Sequence, residues 1–238
     1  MTLPLSRRGW LAAFLADDRL PAFFADDLLV AAASDLASLE PDLRRLAGGA
    51  VRFSFGSSGM LARQVENGAP FDVFLSADGA RARALSKAGA LLAPRVYAVG
   101  RVALWSKSGA FRTLDDLRLR PYRHLAMANP AHAPYGRAAR QALERSRLWS
   151  AVEPRVVLAE NVRQAWQFAE SGNAEVCLTA WSLVYARGGL LVDRALHEPI
   201  QQVGGVVARS SRRRRAEAFL SALTGEEGRR VLLASGFE

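Results

Sequence analysis

Short apolar runs alternate with amphipathic stretches from Leu28 to the end of the chain. Leu28–Ala33 (LLVAAA) is continuously apolar, which suits a parallel strand buried on both faces. Ser34 then reads as the N-cap of a helix over Asp35–Ala47, with Leu36, Leu39, Leu43 and Leu46 on one side and Gly48-Gly49 at its end. Val51, Phe53 and Phe55 predict a second strand. Gly56-Ser57-Ser58-Gly59 makes a small-residue turn, after which Leu61 and Val65 take up helical spacing. Phe71–Ser76 is a further strand, leading into a helix over Asp78–Gly89, and Val96–Trp105 is a long one. His124–Ala128 is followed by a loop with two prolines, Asn129–Gly136, and a helix over Arg137–Leu148. Strand Arg155–Leu158, helix Val162–Ser171, strand Ala174–Thr179 and a turn into Leu183–Ala186 come next. Strand Gln201–Ala208 and helices Arg212–Leu223 and Glu226–Ser235 close the chain. This alternation predicts an α/β architecture with parallel sheets.

In such sheets ligands bind where strand C-termini turn into helix N-termini. Four turns qualify: Ser34, Ser57-Ser58, Pro134-Tyr135-Gly136 and Asn161-Val162. Two lie in the first third of the chain and two in its middle, which predicts two lobes facing each other across a cleft. Free backbone N–H groups and the positive end of the helix dipole make each turn a seat for an anion. Taken alone, the GSSG turn is a weak signal, since most such turns are ordinary helix caps.

Composition removes several function classes. At 238 residues with half of them hydrophobic, the chain can bury a substantial core in one domain or two. Net charge is +9, and Lys87 and Lys107 are its only lysines. The arginines are scattered over amphipathic helices, with Arg212–Arg215 the one tight run, as expected of solvated faces and not of a nucleic-acid interface. Cys177 is alone in an apolar run, which excludes an internal disulfide and predicts a buried thiol. There is no G-x-S-x-G elbow and no phosphate-binding G-x-x-x-x-G-K-[ST] loop, and His124, His132 and His197 fit no metal spacing. Residues 1–27 form a separate segment. Ser6-Arg7-Arg8-Gly9-Trp10-Leu11 is similar to the start of a twin-arginine export signal, but Asp17, Asp18 and Arg19 interrupt the apolar region near the lower limit of about seven residues. It reads as a degenerate export signal or as an altered N-terminus. No apolar stretch approaches the roughly 20 residues of a membrane span.

LLVAAASDL, FGSSGMLARQVENGAPFDVFLSAD, the NPAHAPYG loop, AENVRQAW and the closing TGEEGRRVLLASGF together resemble, in order and spacing, the molybdate-binding solute-binding component of ABC importers. The resemblance runs from about Leu28 to Glu238. It implies a type II periplasmic binding protein fold, two α/β lobes joined by two hinge strands near Val96–Trp105 and Gln201–Ala208. Residues 28–98 and 203–238 would then form one lobe, and 99–202 the other. It further implies a monomer that binds molybdate, with tungstate as co-ligand, in the inter-lobe cleft of a periplasmic protein and hands it to membrane permease subunits. No cofactor, metal ligand, nucleic acid or enzymatic turnover is implied. By motif position the ligand contacts fall on Ser34, Ser58, Tyr135 and Val162: hydroxyl and amide donors from the serines, backbone N–H groups from the other two. Ser57, Asp35 and Thr179 are further candidates. Thr179 stands where the family often has a tyrosine hydroxyl. The alternatives are a binding protein for sulfate or phosphate and an intracellular oxyanion sensor of the same fold; the latter lacks the helix-turn-helix such sensors carry.

Molybdate, tungstate and sulfate only accept hydrogen bonds near neutral pH, whereas phosphate keeps a proton and needs an acceptor. Asp35 therefore bears on selectivity. Facing the anion, its carboxylate would repel molybdate and favour a protonated oxyanion; turned outward, it would merely complement the helix dipole. The outward orientation is the expected one, because Ser34 is the better-placed ligand.

Overall fold

The computed structural model describes residues 27–238; the export-signal reading, including Arg7 and Arg8, lies outside the described residues. Two five-stranded sheets organise the chain. The strands are β1 Leu28–Ala33, β2 Val51–Gly56, β3 Val73–Ser76, β4 Leu91–Gly100, β5 Val102–Trp105, β6 Leu125–Ala128, β7 Val156–Ala159, β8 Val176–Ala180, β9 Leu190–Leu191 and β10 Ile200–Val207. The helices are α1 Glu40–Ala47, α2 Ser58–Glu66, α3 Gly79–Lys87, α4 Asp116–Leu119, α5 Pro134–Arg145, α6 Trp149–Val152, α7 Val162–Ser171, α8 Trp181–Val184, α9 Arg213–Thr224 and α10 Glu226–Ala234. None of them is long and apolar enough to cross a membrane.

The first sheet has the order β2-β1-β3-β10-β4 and the second β7-β6-β8-β5-β9. The two lobes built on them confirm the two-lobed α/β expectation, with one correction: neither sheet is parallel throughout. β1 pairs parallel with β2 and β3, but β10 runs antiparallel to both β3 and β4, and β5 antiparallel to β8 and β9. The cause is the double crossing between lobes. The chain leaves the first sheet through the end of β4 and returns through the start of β10, so Gly100 stands opposite Ile200 and the two strands must run in opposite senses. For the same reason the single strand expected over Val96–Trp105 is two, divided at Arg101. There the guanidinium pairs with Glu238 and donates to the Val192 carbonyl at 3.1 Å.

Continuous apolar strands sit where both faces are covered. Val30, Ala31 and Ala32 of β1 are fully buried, with Leu36, Leu43, Phe219 and Leu220 packed on one face of the first sheet and Leu61, Val65, Phe74 and Leu85 on the other. β8 is buried along its whole length and holds Cys177 as an inert core thiol, pushed above its usual range by burial.

Candidate functional site

Each lobe ends two strands in small residues and starts helices at the same place. β1 ends at Ala33, and Ser34 opens a tight 3-10 turn, Ser34–Leu39, that passes into α1. The regular α-helix starts only at Glu40 because Pro41 has no N–H to give to residue 37. The helix expected to start at Asp35 therefore has a different first turn, and the N-cap expected at Ser34 is not found: no side chain caps this turn, which leaves its first N–H groups open. β2 ends at Gly56, Ser57 is extended at φ −71° and ψ 141°, and α2 begins at Ser58. In the second lobe α5 begins at Pro134, three residues before the expected start. Proline suits a first helical turn because it lacks the N–H that would be left over there. Tyr135 then carries the first N–H of that helix. Val162 opens α7, whose N-cap Asn161 accepts from Gln164 N at 3.0 Å.

These four starts converge on one enclosed cavity between the lobes. Ser34, Asp35, Ser57, Ser58, Tyr135 and Val162 line it together with small residues, and no lysine, arginine or histidine does. Its volume is about 10 Å³, roughly the room of one water molecule and far below the ~300 Å³ at which pockets for organic ligands begin. A metabolite does not fit.

Hydroxyl groups around the cavity are placed unequally. Ser57 occupies the N-cap position of α2 but makes no capping hydrogen bond, and its Oγ is buried without a partner. Asp78 and Asn161, by contrast, cap α3 and α7 in the ordinary way. Ser58 Oγ accepts from Ala77 N at 2.9 Å, tying α2 to the end of β3 and leaving its own hydrogen free to donate. Thr179 does not line the cavity: its hydroxyl donates to the Val162 carbonyl at 3.1 Å and holds the α7 turn from behind. It positions Val162 where a direct contact had been a candidate.

Asp35 overturns the outward expectation. It is 1% exposed and its Oδ2 accepts from Tyr135 Oη at 2.9 Å and Gln202 Nε2 at 2.7 Å. Gln202 Oε1 in turn accepts from Tyr97 Oη at 3.1 Å. The reason is the tight first turn, which rotates residue 35 inward beside the β10 hinge strand. Burial pushes the Asp35 carboxyl up from 3.8 to about 6, against the downward pull of its hydrogen bonds. Tyr135 and Tyr97 are raised well above 10.0, chiefly by burial, and remain neutral donors. Gln202 and Tyr97 were not singled out from sequence. The one signal was the pair of glutamines opening the otherwise apolar run Gln201–Ala208.

The lobes meet closely around this cavity. Gly59 N donates to the His132 carbonyl at 3.0 Å, Ser182 Oγ to the Asp35 carbonyl at 2.8 Å, and Arg137 pairs with Asp78 at 2.6 Å. His132 contributes its backbone there, while its Nε2 meets the Glu160 carbonyl at 3.1 Å.

A family model for bacterial extracellular solute-binding proteins matches residues 28–238. The molybdate-binding protein ModA of Azotobacter vinelandii is 37% identical over 196 residues, 77% of each chain. That of Rhodobacter capsulatus is 33% identical over 198 residues, 80% of this chain and 78% of the relative. The structure of the Azotobacter vinelandii periplasmic molybdate-binding protein superposes with a TM-score of 0.83 at 30% identity, over 89% of this chain and 99% of the other. With its two mixed sheets, double crossing and enclosed inter-lobe cavity, the chain belongs to the bacterial extracellular solute-binding proteins, in the company of the ModA proteins.

Proposed function

We propose that this protein captures molybdate, with tungstate as co-ligand, in the inter-lobe cavity and delivers it to the permease of an ABC importer. The observation that carries the reading is the orphaned Ser57 hydroxyl. A serine in the N-cap position of α2 that caps nothing, buried beside a second serine with a free hydrogen and two further helix starts without a side-chain cap, is a donor array without an acceptor. An acceptor-only dianion completes it. Each hydrogen bond to a charged group contributes about 1.5–3 kcal/mol, so half a dozen offset association costs and leave micromolar to nanomolar affinity within reach. Ser34, Ser58, Tyr135 and Val162, with the Ser57 hydroxyl beside them, contact the oxygens of the anion, and none ligates a metal.

The ModA relatives and the export-like N-terminal pattern support a periplasmic binding protein; in this reading it works as a monomer that binds and releases its cargo with no resident cofactor and no turnover. Asp35 favours a second reading, a protonated oxyanion such as phosphate, because a carboxylate in the cavity accepts a proton from the ligand. Calorimetry with molybdate, tungstate, sulfate and phosphate between pH 6 and 8 separates the two. Molybdate and tungstate are expected to bind one per chain and most tightly; tighter binding of phosphate would overturn the assignment.

A further inference from the structure

The buried carboxyl of Asp35 sits in the wall of a cavity built for an anion. We propose that Asp35 is a proton-carrying ligand: in the closed, loaded site it is a neutral acid whose Oδ1–H donates to the oxyanion, so that capture of each dianion takes one proton from the solvent. This rests on the oxyanion reading of the site and adds a residue and a proton to it.

The hydrogen bonds assign the two oxygens to different tasks. Oδ2 is occupied by two donors from different parts of the molecule, Tyr135 of α5 and Gln202 of β10. Oδ1 is buried with no hydrogen-bond partner. A proton on the acid has no place on Oδ2, where two donors already point, and has room on Oδ1. With the Gln202 NH2 donating to Asp35, its oxygen is left to accept from Tyr97 Oη.

Hydrogen bonds from Tyr135, Gln202 and the local backbone favour a charged Asp35, but burial outweighs them and no paired cation adds to them. The titratable groups facing it are Tyr135 from α5 and Tyr97 from β4, both neutral phenols. The buried face of α7 against this turn is Val162, Ala165 and Ala169, that of α1 is Leu43 and Leu46, and that of α8 is Ser182, Leu183 and Val184. Arg52 of β2 and Arg163 of α7 are exposed, and Arg137 of α5 pairs with Asp78. Among the described residues no cation is ion-paired with Asp35. A carboxylate and a dianion sharing one dry cavity repel, and the carboxyl is the member that can take up a proton. Burial has already brought it to about 6 without a ligand, and an adjacent dianion raises it further.

The test is calorimetry of the full chain with sodium molybdate at pH 7.5 in two non-phosphate buffers of different ionisation enthalpy. The dependence of the observed heat on buffer counts the protons. The expected result is uptake of about one proton per molybdate, with affinity falling about tenfold per pH unit above pH 7. Asp35→Asn places an amide NH2 at the Oδ1 position, its oxygen being held by Tyr135 and Gln202. It is expected to take up no proton and to bind molybdate about tenfold or more tightly than the wild type at pH 8. Wild-type binding without proton uptake overturns the proposal and leaves the molybdate reading standing, as does an Asp35→Asn protein that still takes up the proton. No binding of molybdate at any pH removes the oxyanion reading and this proposal with it. The wild-type proton count decides whether or not the variant folds.

Discussion

Ser57 and Ser58 are neighbours in sequence with different tasks. Ser58 holds the end of β3 through Ala77 and can still donate its hydrogen, whereas Ser57 is left with an unpartnered hydroxyl. Ser58→Ala is expected to weaken molybdate binding by about 1–3 kcal/mol and to lower the melting temperature, because Ala77 N loses its acceptor. Unchanged affinity by calorimetry would reduce the GSSG turn to a structural cap. Asp35 yields a stability prediction of its own. Its folded-state pKa of about 6 lies above the ordinary 3.8, so the folded chain holds this proton more tightly than the unfolded one. Stability from this group is present below pH 3.8 and is lost as pH rises through about 6, a change on the order of 2–3 kcal/mol. Asp35→Asn is therefore expected to melt higher than the wild type at pH 7.5 and to show a smaller gain on acidification toward pH 5; equal melting curves at both pH values would show that the carboxyl is not buried in solution. At this scale the sequence made the serines, Tyr135 and Val162 legible, because small residues at strand ends and prolines before helices leave local signatures. The inward turn of Asp35 and its link to Gln202 and Tyr97 join positions far apart in the chain, and no local pattern encodes them.

Helix starts are what the elements contribute, and they were largely readable. α2 and α7 begin where glycine, serine and asparagine signals placed them, and α7 ends as expected at Ser171 before Gly172. Two starts moved for backbone reasons. Pro134 belongs inside the first turn of α5, and Pro41 divides the first helix into a 3-10 turn and α1. Both shifts bear on the site, since they set which N–H groups face the cavity. The antiparallel course of β10 was hidden because strand direction depends on the route of the chain between lobes and leaves no mark on hydrophobic pattern. Gly59 gives the element-scale prediction. A Cβ there would lie 2.6 Å from the His132 carbonyl oxygen of the other lobe, in the place where Gly59 N makes its own inter-lobe bond. Gly59→Ala is expected to leave the melting temperature of the unliganded protein within a few degrees of wild type, and to weaken molybdate binding at least tenfold by keeping the lobes apart. Small-angle scattering should show no compaction on adding molybdate; compaction equal to that of wild type would contradict the contact.

Across the whole molecule, the chain crosses between the two sheets at Arg101 and ahead of Ile200, and the cavity exists only because helix starts from both meet. In the proposed site the anion would be held mostly by backbone and hydroxyl groups, and closure would combine the acceptors it supplies with the inter-lobe Arg137–Asp78 pair. The Arg137–Asp78 pair and the Gly59–His132 and Ser182–Asp35 bonds then mark the closed state. The most direct measurement is an anomalous difference map at the molybdenum edge from crystals grown with molybdate. A single peak between Ser34, Ser58, Tyr135 and Val162, at hydrogen-bonding distance from their donors through its oxygens, is the predicted result. A peak confined to the surface arginines, with the inter-lobe cavity empty, would contradict it.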